Sequence, residues 1–163
     1  MVSIPLLIFA LQCKPDNGGA AARSQNVPAV NKMAPYIPGL GEIMSLIQMR
    51  HLKLWYAGYY RNWPLADYEL TELQEGFADA MRYHPTHKQV PRPVSTLIPE
   101  FMDNALNNLR GVIARRDSAA FPAAFDAVTA GCNDCHIASG FAFNVVIRPE
   151  KNSYANQRFK PLP

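Results

Sequence analysis

At 163 residues, 48% of them hydrophobic and 18% charged, the chain is long enough for one well-cored domain and too apolar to be disordered. Its net charge of +3 is small, and Lys and Arg form no run, so nothing in the charge argues for a nucleic-acid partner. Most of the 14 prolines fall before residue 40, between 85 and 99, or after 148, so they delimit structured blocks.

Residues 1–13 read as an export signal. The apolar stretch Ile4 to Leu11 is far short of the roughly 20 residues that span a bilayer, yet suits the core of such a signal. Ala10-Leu11-Gln12-Cys13 resembles a lipoprotein cleavage box. Cys13 is then either acylated, tethering the protein to a membrane, or incidental to an ordinary signal. Either way the expected location is extracytoplasmic: periplasmic or membrane-anchored, in a bacterium. Residues 14–38, rich in Gly, Ala, Asn and Pro, read as a linker.

Four helical blocks follow in residues 39–140. In the first, residues 40–58, Leu40, Met44, Ile47, His51, Leu54 and Gly58 recur at spacings of three and four and form one seam. Gly58 and the turn Asn62-Trp63-Pro64 are expected to end it. The second, residues 65–83, carries Leu70, Leu73, Phe77 and Ala80 on one face. Glu69, Glu72, Glu75 and Asp79 lie on another, read as solvated. The third starts near Ser95 or Thr96, both suitable N-caps, with Ile98, Phe101, Ala105, Leu109 and Val112 inward. The fourth begins near Asp117 or Ser118 and runs to Ser139, with Gly140 as its C-terminal cap and Phe121, Phe125, Val128, Cys132 and Cys135 on its seam. The expected fold is therefore all-α: a four-helix bundle followed by an irregular, extended tail, residues 141–163. The aromatic residues Phe141, Phe143 and Tyr154 suggest that this tail folds back over the bundle end.

Cys132-Asn133-Asp134-Cys135-His136 is a C-x-x-C-H sequence, the attachment signature of c-type haem. On a helix, positions i, i+3 and i+4 share a face, so both thiols and the imidazole project together. One covalent haem c is expected, with thioethers at Cys132 and Cys135 and His136 as iron ligand. Gly131 is expected to let the flat ring approach the backbone. The competing readings are a zinc site, a thiol redox pair and a structural disulfide. Zinc would want further ligands, and the redox pair an alternation of strands and helices.

The four helices, with this motif on the last, resemble the class II c-type cytochromes, the cytochrome c-prime group and its low-spin relatives, over about residues 39–140. The resemblance implies a haem lodged inside the bundle, a first-helix residue over its distal face, and a homodimer through the first two helices. The chain departs from that group in its long tail and in having no basic residue just after His136.

For the sixth ligand, His51 sits on an inward seam where an unpaired imidazole is costly. The expectation is His51, giving a bis-histidine, low-spin haem. Met44 on the same seam is the alternative, and an open iron the third case. Function reads first as electron transfer to redox partner proteins, not as an enzyme, with no catalytic residues singled out. Gas binding or sensing at an open distal site is the alternative, and a small peroxidase the third reading. Arg50, Lys53 and Arg148 are candidate partners for a haem carboxylate. His84 and His87 read as solvated loop residues.

Overall fold

The protein is described by a computed structural model over residues 35–163. The expected export signal, Cys13 and nearly all of the linker lie outside the described residues. Four helices and no strand occur among those residues: α1 Leu40–Tyr59, α2 Trp63–Tyr83, α3 Val94–Ala114 and α4 Phe121–Ala138. The chain is a four-helix bundle.

Helix starts differ from the sequence expectation. α2 begins at Trp63, two residues early, because Asn62 caps it by accepting from the Leu65 N–H and Pro64 fits its first turn. α3 begins at Val94 after Pro93, with no side-chain cap, so Ser95 and Thr96 lie inside it. Before α4, Asp117 accepts N–H bonds from Ala119 and Ala120, which folds 117–120 into a turn, and the helix starts at Phe121 with Pro122 in its first turn.

Three helices end in the same way. Gly140, at φ 80°, follows α4 while Gly140 N–H donates to Ile137 O and Phe141 N–H to His136 O. The same paired bonds follow α1 and α3, but there Arg61 and Arg116 adopt the left-handed conformation. Gly58 therefore does not end α1. It lies inside the helix, where a Cβ would come within 2.0 Å of the Phe121 ring, so glycine is required for α4 to pack there.

α1 packs along α2 and α3 along α4, whereas α1 and α4 meet over only part of their length. Phe121, Phe125, Leu54, Leu70, Leu73, Leu97 and Leu109 fill the centre. One member of the acidic stripe expected to be solvated is buried: Glu69 is 1% exposed and takes a 3.2 Å bond from Arg50, which also reaches Glu72 at 2.7 Å. The helical period alone cannot register that α1 supplies a cation opposite this position.

The tail runs from the end of α4 back along the α1–α4 groove. Arg148 pairs with Asp126 and lies over the Trp55 ring, and Tyr154 lies under Lys53. Phe159 is buried at 3% exposure against Tyr56, with its carbonyl held by Asn62 at 3.0 Å. Phe143, by contrast, is 82% exposed. The burial expected of it falls instead to Val146 and Phe159.

Candidate functional site

Residues of all four helices, the α2–α3 loop and the tail enclose a cavity of about 310 Å³ at one end of the bundle. Cys132, Cys135 and His136 line it from α4, as do Met44 and His51 from α1. Phe77, Val94, Leu97, Ile98 and Met102 give it apolar walls, and Phe141, Asn144 and Val146 border it from the tail. An apolar chamber with a few convergent polar groups is the usual build of a cofactor site.

The two thiols are free, Cys132 buried and Cys135 partly so. Burial, with a smaller contribution from the Cys135 thiol, pushes the Cys132 thiol up to about 12. Burial likewise raises Cys135, against an opposing hydrogen bond with Ser139. Thiols that resist ionisation are poor nucleophiles, so the redox-pair reading gains no support. Among the described residues, no three His, Cys, Asp or Glu side chains come together in a way that could hold a metal ion.

His136 is half-buried, and its Nδ1 lies 2.6 Å from the Asn144 carbonyl oxygen. A carbonyl only accepts, so Nδ1 carries the proton and the Nε2 lone pair is left for another partner. That arrangement, with one ring nitrogen bound to a backbone carbonyl, is the usual support of a metal-ligating histidine.

His51 is buried at 2% exposure, with its ring 4.4 Å from that of Phe125. Its Nε2 lies 2.8 Å from Thr129 Oγ1, and the Thr129 hydroxyl donates in turn to Phe125 O at 3.2 Å. Nε2–H is therefore the donor. Burial lowers the pKa of His51 to about 4, so the ring is neutral at ordinary pH. The reason for expecting a metal at His51 was the cost of an unpaired imidazole. Thr129 supplies the pairing.

The α1–α4 register sets the level of each side chain. Gly58 packs on Phe121, Trp55 lies 5.1 Å from Phe125, and His51 bonds to Thr129. Extended at the same spacing, this antiparallel ladder would bring Gln48 level with Cys132 and Met44 level with His136, and all four line the cavity. Thr129, to which His51 is fastened, lies seven residues before His136, about 10 Å deeper along α4. On that register Met44 falls on the motif side of the chamber and His51 on its deeper side.

Several residues take roles the sequence did not suggest. Gly131 does not face the cavity: a Cβ there would lie 2.6 Å from Phe101 O, so it lets α4 approach α3. His87 lines the cavity instead of standing free in solvent, and His84 Nε2–H ties its loop to Pro38 O at 2.8 Å. The three cations considered for a haem carboxylate are engaged elsewhere: Arg50 with Glu69 and Glu72, Lys53 over Tyr154, and Arg148 with Asp126. Asn133, inside the motif, grips the tail: Nδ2 donates to Val146 O at 2.9 Å and Oδ1 accepts from Val146 N–H at 2.8 Å. Comparison with known protein families, with curated proteins and with solved structures finds no match.

The residues present fit a covalent haem. Two thiols at attachment spacing, an imidazole with Nε2 free, a thioether at the same level and apolar walls all converge on one chamber.

Proposed function

We propose that the protein is a single-haem c-type cytochrome that transfers electrons outside the cytoplasm. The observation that carries this reading is the convergence of Cys132, Cys135 and His136 on one largely apolar cavity, with His136 Nδ1 already committed to Asn144 O. In it Cys132 and Cys135 hold the haem by thioether bonds and His136 Nε2 is the proximal ligand. When bound, haem supplies iron that alternates between ferrous and ferric states. The apolar walls exclude water around that charge change, which favours electron transfer over ligand exchange. The four-helix bundle with its motif on α4 supports the likeness to class II c-type cytochromes.

For the distal side the helix register favours Met44 over His51, since Met44 is level with His136 while His51 is held deeper by Thr129. A thioether ligand would also give a higher potential than a second imidazole. The engagement of His51 also favours a second reading, gas binding at an open site, because it withdraws one of the two candidate distal ligands. Among the described residues no helix is long and apolar enough to cross a membrane, so a tether would rest on Cys13.

Haem staining of a denaturing gel tests the central claim: stain should persist in the wild type and vanish in Cys132→Ser with Cys135→Ser. Haem that extracts fully into acidic ketone would refute covalent attachment. Spectra with and without carbon monoxide then test the distal side. Met44→Ala should turn a low-spin iron high spin and open it to carbon monoxide, while His51→Ala should not. The reverse result returns the site to His51, and a wild type already high spin favours gas binding. In a bacterial host the mature chain should fractionate outside the cytoplasm, and Cys13→Ala should release any membrane-bound form.

A further inference from the structure

We infer that Asn133 is a positioning residue for His136, acting through the tail segment 144–146. The inference rests on the haem reading above and adds a means of tuning it. Asn133 precedes His136 by three residues on α4, so the two side chains emerge close together on the helix surface. The carboxamide grips one backbone unit of the tail by both its groups, donating to Val146 O at 2.9 Å and accepting from Val146 N–H at 2.8 Å. Two residues before that unit, Asn144 O receives the Nδ1–H of His136 at 2.6 Å. The grip on Val146 therefore fixes the register at which a carbonyl meets the imidazole. A one-residue slip along an extended strand would turn that carbonyl to the opposite side.

The chemistry follows from which nitrogen holds the proton. With Nδ1–H donated to a fixed carbonyl, Nε2 is held unprotonated and gains electron density, which makes it a stronger ligand and favours oxidised iron. Among the described residues, Asn133 is the one side chain besides His136 itself that bonds to the backbone of 144–146. Asn144 N–H donates to Phe141 O at 2.9 Å, so the turn 141–144 holds this carbonyl from one side and the Asn133 grip holds it from the other. Arg148 fastens the tail farther along, at Asp126 and Trp55, without touching this stretch.

The test compares Asn133→Ala with Arg148→Ala, which loosens the same tail beyond the grip, and with Val146→Pro, which removes only the N–H half of the grip. The haem-free chain is labelled with ¹⁵N-histidine and the His136 ring followed by long-range ¹H–¹⁵N correlation. Wild type and Arg148→Ala should give the Nδ1–H form, and Asn133→Ala a mixture shifted toward Nε2–H. Val146→Pro should fall between and keeps the test open if Asn133→Ala folds poorly. In the haem-loaded protein the midpoint potential should rise in Asn133→Ala and stay at the wild-type value in Arg148→Ala. An unchanged tautomer and potential in Asn133→Ala would overturn the inference, as would equal shifts in Arg148→Ala. Absence of covalent haem from the wild type would instead defeat the functional reading and leave the tautomer result standing.

Discussion

The two ends of the α1–α4 pair are packed in opposite ways. At one end Gly58 accepts the Phe121 ring where a single methyl group would collide, and Trp55, Phe125 and Trp63 close around it. At the other, three to four turns away, the same two helices border a cavity of about 310 Å³. A bundle can keep a chamber open only if its stability is drawn from elsewhere, because an unfilled apolar space forfeits contacts. Here the tight aromatic end, with α2 on α1 and α3 on α4, carries the close packing that the cavity end lacks.

Substitutions can break this contrast in order of size. Phe121→Ala should cost the most, about 3–5 kcal/mol, since it empties the tight end; denaturant unfolding would measure it, and a cost below 1 kcal/mol would mean the two ends share the load. Between the two ends sits His51, whose pKa falls to about 4 in the fold. The unfolded chain binds the proton first, near pH 6.5, so stability is complete above that pH and is lost as pH drops through about 4, by a few kcal/mol at most. His51→Gln should flatten that part of the stability–pH curve. Gly58→Ala should cost about 1–3 kcal/mol by overpacking. Gly41→Ala at the open end, where a Cβ meets nothing within 4 Å, should change stability by less than about 0.5 kcal/mol. Smallest of all, Arg61→Gly or Arg116→Gly should raise the melting temperature slightly: relief of a left-handed arginine is largely offset by the glycine's greater freedom in the unfolded chain, leaving a gain of about 0.3 kcal/mol. A fall in melting temperature would mean that their side chains contribute more than the backbone costs.

The helices were legible because apolar residues at spacings of three and four are a local signal, and the C-x-x-C-H sequence is local too. What escaped was whatever depends on a partner far along the chain. Thr129, which satisfies His51, is 78 residues away, so the imidazole looked orphaned. Arg50 faces Glu69 from another helix, so a buried carboxylate passed as part of a solvated stripe. Gly58 looks like punctuation in the sequence, though its role is set by Phe121. Asn133 occupies a variable position of the motif, and its partner is backbone, which leaves no trace in residue identity. His87 lines the cavity from a loop, where no periodic face reveals an inward direction.

The docking of the tail has a consequence for entry. Asn144 and Val146 form one wall of the chamber, and that wall is fastened by the paired bonds of Asn133 to Val146. A wall held in this way could swing aside with the four helices still packed, so admitting a broad planar molecule would not require the bundle to come apart.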